Sequence, residues 1–141
     1  MDFEVILRKL HEDYNKDKTH GCLERAIIIY CFLKNNGLNP EIISFSFLSQ
    51  GIEITHHVVI ENNKIYDFNK SIFPIGYDEY KKEKENKHIN IKWENSRNFI
   101  LKNHLIKDSL IYLSGFDEEF QNEIMPLINK EYITLANNIF N

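Results

Sequence analysis

One segment is apolar nearly all the way round, and it constrains the fold more than any other part of the chain. In the run CLERAIIIYCFLKNNG at residues 22–37 the only charged residues are Glu24, Arg25 and Lys34. A helix that is apolar on every side belongs inside a fold rather than on its surface. Gly37 is well placed to end this helix, because glycine adopts the left-handed conformation without strain. We therefore expect a buried central helix around which the rest of the chain packs.

Alternating apolar and polar residues after this helix predict an antiparallel sheet. The pair Asn62-Asn63 separates two β-type runs, and asparagine tolerates the positive φ angles of a tight two-residue hairpin turn. A later run places Ile89, Ile91 and Trp93 on one face, which is typical of a half-buried strand. The predicted strands cover residues 41–48, 52–60, 64–69 and 88–94.

Helices are predicted before and after the sheet. Residues 2–14 have the pattern of an amphipathic helix with Asp2 at its N-cap, and residues 95–114 are expected to form a second one. Asp117 should cap a last helix. We expect Pro126 to kink or split that helix, because proline removes a backbone hydrogen bond and clashes with the preceding turn.

Together these patterns predict one α+β domain over residues 1–141, a length that suits a single hydrophobic core. Residues 20–70 are expected to form its core, with the central helix packed on an antiparallel sheet of about four strands. Residues 71–141 should pack on this core as an extension that ends in helices. Within the extension, residues 77–87 carry mixed charge and are expected to face water as a helix or loop.

Composition limits the partners and the compartment of the protein. Lys and Arg number 17 against 21 Asp and Glu, a net charge of −4 that argues against binding duplex nucleic acid. No run approaches the ~20 apolar residues of a membrane span, and no signal pattern opens the chain. Cys22 and Cys31 would lie on opposite sides of the central helix and would not bridge, so a reducing compartment is favoured. We expect a cytoplasmic protein, or one exported without a recognisable signal as an effector would be.

Cys22 is the candidate nucleophile. It begins the central helix, where free N–H groups and the positive end of the helix dipole favour a thiolate. Cys31 lies in the middle of the same helix among apolar neighbours and is expected to be a core residue. The backbone N–H of Cys22 is also a natural donor to an oxyanion, with His20 and Asn15 as candidates for a second donor.

The predicted hairpin supplies a base and a carboxylate. With a two-residue turn, Val58 lies opposite Asp67, so Asp67 shares a face with His56 and comes within hydrogen-bond reach of it. We expect this face to meet the central helix and to bring His56 to Cys22. His57 points to the other face and is the alternative base, because one more turn residue would exchange the two histidines.

Three segments carry a family resemblance: GCLERA at 21–26, NNGLNPEI at 35–42 and HHVVIENNKIYD at 56–67. They resemble the transglutaminase-like branch of the papain-like thiol enzymes. In that family a cysteine at a helix start precedes a histidine that opens a strand and an aspartate that closes the next strand. The family usually has tryptophan where this chain has Val58. Residues 22–26 are also similar to small proteases that remove leader segments from lasso-type peptides.

The resemblance implies a triad with Cys22 as nucleophile, His56 as base and Asp67 as the acid that orients it. The implied activity is acyl transfer on amide bonds of a protein or peptide substrate, by a protease, a glutamine deamidase or a transglutaminase-like enzyme, without a cofactor or metal. One alternative is a catalytically inactive domain of the same fold that binds a peptide or protein partner. Another is a metal site of Cys22, Asp67 and either His56 or His57, which the lack of C-x-x-C and H-E-x-x-H motifs disfavours.

Overall fold

The computed structural model describes residues 2–16, 21–96 and 106–140 and has an α+β architecture built on one antiparallel sheet. The strands lie side by side in the order β4-β3-β2-β1-β5. The described elements, in chain order, are α1 Phe3–Lys16, α2 Cys22–Asn35, β1 Glu41–Ser49, β2 Ile52–Glu61, β3 Lys64–Tyr66, β4 Ile75–Gly76, α3 Tyr77–Lys87, β5 Lys92–Asn95, α4 Ile106–Leu113 and α5 Glu118–Phe140.

The hairpin between β2 and β3 has the predicted turn and register, but β3 ends at Tyr66, before the predicted pair of Val58 with Asp67. Asn62 and Asn63 both have positive φ, 49° and 60°, as a two-residue turn matched to the strand twist requires. Beyond the turn the structure pairs Glu61 with Lys64, Ile60 with Ile65, and Val59 with Tyr66. Because the side-chain period of a strand is two, this pairing decides which of the two histidines shares a face with Asp67.

Helix α2 is the buried central helix that the sequence predicts. Eight of its residues are buried, from Leu23 to Leu33. Its C-terminus closes on Gly37, whose φ is 79°, and the N–H of Leu38 donates to the carbonyl of Leu33 across 3.2 Å. These are the left-handed residue and the backward hydrogen bond of a common helix end. Helices α1, α4 and α5 surround α2 on the sides that the sheet leaves open.

The sheet separates two hydrophobic clusters. The first contains α2 and its helical neighbours and meets the sheet at Ile42 and Val59. The second lies on the opposite face and is formed by Phe45, Val58, Ile65 and Tyr80, with Tyr80 contributed by α3. The prediction that the face of His56 and Val58 packs on the central helix is therefore wrong. That face packs on α3, and α2 covers the face of Val59.

The strand predicted at residues 88–94 is shorter and lies later in the chain. Strand β5 begins at Lys92, and Ile89 is 86% exposed rather than half-buried. Asn90 has a φ of 58°, a left-handed conformation that interrupts an extended chain before β5 can begin. Strand β4 was not predicted, which makes five described strands rather than about four, and β3 ends at Tyr66 rather than at residue 69.

The helices after the sheet differ from their predictions in two places. Residues 95–114 do not form one helix, because Asn95 ends β5 and the N–H of Ser96 donates to the carbonyl of Ile42 across 2.7 Å; residues 97–105 lie outside the described residues. Helix α5 is capped by Asp117 as predicted, with Oδ1 2.8 Å from the N–H of Phe120.

The expected split at Pro126 is absent, because α5 runs from Glu118 to Phe140. The buried side chains of Phe120, Ile124 and Ile128 anchor this helix on both sides of the proline. Their burial outweighs the cost of a proline inside a helix, about 3 kcal/mol. No described helix is both long and apolar enough to cross a membrane.

Candidate active site

The site lies where α2 begins, at the edge of β2 just beyond the end of β3. Strand β3 pairs with β2 only as far as Val59, so the edge of β2 at His56 and His57 is left uncovered by a strand. The sulfur of Cys22 occupies this edge, where the backbone N–H of His57 donates to it. This placement explains how Cys22 meets His56 although α2 packs on the opposite face of the sheet from the imidazole.

Gly21 sets the approach of Cys22. Its φ is 92°, a conformation that favours glycine, and its carbonyl accepts the first hydrogen bond of α2 from the N–H of Arg25 across 2.8 Å. A Cβ at this position would lie 2.9 Å from Nη1 of Arg25 and 2.9 Å from Cε2 of Tyr112. Both the backbone conformation and the neighbouring side chains therefore require glycine before the cysteine.

His56 and Asp67 form the hydrogen bond that the hairpin predicts. Nε2 of His56 donates to Oδ1 of Asp67 across 3.0 Å. Asp67 is only 3% exposed, and it accepts two further hydrogen bonds: the backbone N–H of Asn69 lies 3.0 Å from Oδ1, and the hydroxyl of Tyr80 lies 2.5 Å from Oδ2. Burial alone would raise the pKa of Asp67, but these hydrogen bonds and the charge of His56 hold it below its ordinary 3.8.

The thiol and the imidazole share a second hydrogen bond. Since Nε2 of His56 is bound to Asp67, Nδ1 is the nitrogen left for the sulfur of Cys22. Burial tends to raise the pKa of the Cys22 thiol, but hydrogen bonds from His56 and from the N–H of His57, with the charges of His56 and Arg25, lower it overall. Burial tends to lower the pKa of His56, but Asp67 and Cys22 raise it to about 9. The lowered pKa of the thiol and the raised pKa of the imidazole both favour transfer of the proton from Cys22 to His56.

The ring of His57 lies in different surroundings from the ring of His56. It points to the α2 side of the sheet, where its Nδ1 lies 3.1 Å from Oγ of the buried Ser96. Burial, with the charge of His56 as the second cause, lowers the pKa of His57 to about 4. His57 is therefore neutral at pH 7 and contributes its backbone N–H, rather than its ring, to the sulfur.

Arg25 supplies a buried positive charge one turn along α2. The guanidinium is 2% exposed, and its Nη1 lies 3.1 Å from Oδ2 of Asp13 and 3.2 Å from the hydroxyl of Tyr112. It also lies over the ring of Tyr14, 5.4 Å from its centroid. These partners stabilise a charge that would otherwise be costly to bury, and that charge helps to lower the pKa of Cys22.

An open cleft of about 250 Å³ gives access to the thiol. Cys22, His56 and Asp67 are among the residues that line it. Its remaining walls come from the β1–β2 hairpin, from the loop after β3, from the end of α3 and from α2. The residues that form these walls are Phe45, Phe47, Ile54, Thr55, Asn69, Lys84, His88 and Arg25.

The sequence analysis missed one residue of the site, Tyr80, and did not identify a second donor to the oxyanion. Tyr80 lies in the run predicted to face water, and it is fully buried against Asp67. A tyrosine three residues after Tyr77 in a charged helix was the available signal, because it marks one apolar stripe on an otherwise polar helix. Asn15, a candidate oxyanion donor, is exposed and does not line the cleft, and His20 lies outside the described residues.

The arrangement has the parts of nucleophilic acyl chemistry: a thiol of lowered pKa, an imidazole of raised pKa beside it, and a buried carboxylate that holds the imidazole. Cys31 is 1% exposed, and burial raises the pKa of its thiol, so it has the character of a core residue. Within residues 2–16, 21–96 and 106–140, no group of three or more His, Cys, Asp or Glu side chains is placed so that it could hold a metal ion. Comparisons with family models, with curated proteins and with solved structures find no match to this chain.

Proposed function

We propose that the protein is a cysteine-dependent acyl-transfer enzyme that acts on amide bonds of proteins or peptides, with Cys22, His56 and Asp67 as its triad in a transglutaminase-like core. The observation that carries this proposal is the chain of hydrogen bonds from the thiol through the imidazole to the carboxylate. A histidine and an aspartate buried only for packing would gain nothing from a thiol on the second ring nitrogen. The lowered pKa of Cys22 and the raised pKa of His56 are those of an activated pair.

The reaction follows from these positions. The sulfur of Cys22 attacks the amide carbonyl carbon, and the carbonyl electrons move to the oxygen, which accepts a hydrogen bond from the backbone N–H of Cys22 at the helix start. His56 gives its Nδ1 proton to the departing nitrogen as the C–N bond breaks, which leaves a thioester on Cys22. Water or an amine, deprotonated by the now neutral His56, attacks the thioester and releases the thiolate. Asp67 keeps the ring oriented throughout.

Mass spectrometry of peptides tests the activity and distinguishes its forms. Glutamine-containing peptides are incubated with the protein, with and without a primary amine, and compared with Cys22→Ala. Chain cleavage identifies a protease, conversion of an amide to an acid identifies a deamidase, and amine incorporation identifies a transglutaminase. A product that persists with Cys22→Ala contradicts the proposal.

The pH dependence of thiol alkylation tests the activated pair without a substrate. In a Cys31→Ala background, iodoacetamide should alkylate Cys22 at a rate that stays high as the pH falls below the ~8.5 of an ordinary thiol and drops only below the lowered pKa of Cys22. His56→Ala should move this fall to higher pH, because it removes the strongest influence that lowers the pKa. His57→Gln should move it far less. A parent profile centred near 8.5 would leave only the inactive, peptide-binding alternative.

A further inference from the structure

The edge of β2 beside Cys22 is open along most of its length. Strand β2 spans Ile52–Glu61, and β1 pairs with it from Ile52 to Ile60. On its other side, β3 pairs with only the last three residues, from Val59 to Glu61. Within the described residues, no strand covers the β3 side of β2 from residue 52 to residue 58.

The two hairpin turns decide which backbone groups face this open edge. In an antiparallel hairpin with a two-residue turn, the residues that flank the turn exchange both hydrogen bonds, and the direction then alternates along the strand. Glu61 flanks the turn to β3, so His57, Thr55 and Glu53 also direct their N–H and C=O groups to that side. The turn to β1, at residues 50 and 51, requires the same alternation, because Ile52 pairs with Ser49.

The N–H of His57 supports this assignment, because it donates to the sulfur of Cys22 at that edge. Thr55 and Glu53 come next along the same edge, and both are exposed. No described residue hydrogen-bonds to the outward backbone groups of these two residues. The row of outward groups therefore leads directly to the nucleophile.

The cleft of the active site continues onto this edge. Ile54 and Thr55 belong to its walls, together with Phe47 and His88, whose rings stack with centroids 3.8 Å apart. An apolar side chain of a bound peptide has a surface to cover here, because Ile54 is half-exposed.

Lys84 gives the same cleft a positive charge. Its ammonium lies over the rings of Tyr80 and Phe45, 5.2 and 5.9 Å from their centroids. Partial burial, with Lys70 and Lys87 as like-charged neighbours, lowers the pKa of Lys84 although the charge of Asp67 opposes this. Within the described part of the chain, no carboxylate forms an ion pair with it. An acidic side chain in the cleft would neutralise this charge.

We propose that the substrate of Cys22 is an extended, unfolded peptide segment with an acidic side chain, which binds as an added strand on the edge of β2 at Thr55 and Glu53. This inference rests on the proposed function. Main-chain hydrogen bonds to the edge align the segment, and the cleft receives alternate side chains, as in other cases of strand addition. A carbonyl of the segment then reaches Cys22 because the thiol lies on the same edge, one outward-facing residue beyond Thr55.

Peptidyl vinyl sulfones test this binding mode, since the thiolate adds to the vinyl group and the carbanion takes a proton from His56. The reagents are acetyl-capped tripeptidyl vinyl sulfones in which each position in turn carries Glu or Gln and the other positions carry leucine. Methyl vinyl sulfone serves as the reagent without a peptide. In a Cys31→Ala background, the peptidyl reagents should react faster than methyl vinyl sulfone. The reagents with Glu should react about fivefold faster than the matching reagents with Gln, and Lys84→Gln should remove that difference in rate.

Thr55→Pro removes one N–H from the edge and keeps the backbone hydrogen bonds to β1, although it also removes the hydroxyl that lies 2.9 Å from Oγ of Ser46, as does the control Thr55→Ala. It should lower the rate for the peptidyl reagents by about tenfold, because a peptide carbonyl loses its donor, and leave the rate with methyl vinyl sulfone unchanged within about twofold. Thr55→Ala keeps the N–H and should react several-fold faster than Thr55→Pro. Circular dichroism checks the fold of each variant. Reagents that are N-methylated at a single amide test the same hydrogen bonds without a protein variant. Only methylation of an amide that faces the edge should lower the rate of reaction with Cys22.

The outcomes separate this inference from the proposed function. Equal rates of parent and Thr55→Pro with the peptidyl reagents, or no effect of N-methylation at any amide, would overturn strand addition. If iodoacetamide reports an activated thiolate but no peptidyl reagent exceeds methyl vinyl sulfone, strand addition fails and the proposed function stands. If Cys22 reacts as an ordinary thiol with every reagent, both fail.

Discussion

The hydroxyl of Tyr80 is the contact whose removal gives the sharpest stability test. It donates to Oδ2 of Asp67 across 2.5 Å, and both side chains are shielded from water, with Tyr80 fully buried and Asp67 3% exposed. Tyr80→Phe removes this hydroxyl and keeps the ring in the cluster with Phe45 and Val58. The change therefore isolates one hydrogen bond to a buried carboxylate, with no loss of apolar packing.

The expected cost is about 2 kcal/mol at pH 7. A hydrogen bond to a charged group is worth ~1.5–3 kcal/mol, and no water can take the place of the hydroxyl in a buried site. Asp67 retains two donors, Nε2 of His56 and the N–H of Asn69, which keeps the cost below that of an unpaired buried charge. Because a domain of this kind is stable by ~5–15 kcal/mol, the variant should still fold.

The pH dependence has a definite sign. The pKa of Asp67 in the folded protein lies below its ordinary 3.8, so its carboxylate stabilises the fold above that range and this stabilisation is lost as the pH falls through the folded pKa. Tyr80→Phe should raise that pKa towards its ordinary value. The difference in unfolding free energy between parent and variant should therefore be constant near pH 7 and shrink in acid.

Urea unfolding followed by circular dichroism at pH 7 and at pH 3 measures both quantities. Tyr77→Phe is the matched control, because Tyr77 lies one turn earlier in α3 and its hydroxyl has no hydrogen bond to a described residue; its cost should stay below about 0.5 kcal/mol. A cost of Tyr80→Phe no larger than that of Tyr77→Phe, or a cost that grows rather than shrinks as the pH is lowered, would refute the role assigned to the hydroxyl.

Three further predictions concern the residues around the thiol. Gly21→Ala should lower the free energy of unfolding in urea by about 2–3 kcal/mol, because the left-handed backbone strains any other residue and the new Cβ would meet Arg25 and Tyr112. Gly37→Ala should cost only the backbone strain of about 1 kcal/mol, because φ there is 79° and nothing lies within 4 Å of the new Cβ. Equal costs of the two variants would contradict the close contact at Gly21. In NMR titrations His56 should lose its proton near pH 9 and His57 should stay neutral down to about pH 4; reversed values would exchange their roles. Cys31 should resist iodoacetamide until urea unfolds the protein, as mass spectrometry of labelled peptides can show.

Local rules in the sequence were sufficient for the parts of the site that lie on one hairpin. Two asparagines imply a two-residue turn, and the turn alone sets the pairing of β2 with β3. From that pairing it follows that His56 and Asp67 share a face, and the observed 3.0 Å hydrogen bond agrees. The buried character of α2 was equally accessible, because an all-round apolar helix has no other stable place.

Contacts between distant segments could not be predicted from the sequence in the same way. Both faces of β2 carry buried apolar residues, Val58 on one and Val59 on the other, so the pattern could not decide which face α2 covers. Tyr80 escaped notice because its helix is otherwise charged, and only the tertiary structure brings it to Asp67. The early end of β3 at Tyr66 opens the edge of β2 to Cys22, and the sequence pattern, which predicted a strand to residue 69, did not indicate it.

The proposed nucleophile and its proposed base belong to opposite sides of the sheet. Cys22 is carried by the helix of the first cluster, whereas Tyr80 fixes Asp67, and through it His56, from the second. Neither half of the molecule can assemble the reacting pair alone, so thiol reactivity reports whether both layers have docked. Partial unfolding of α3 would abolish the enhanced reactivity of the Cys22 thiol while α2 remained folded. During denaturation at low urea, this reactivity should therefore be lost before the helical circular dichroism signal.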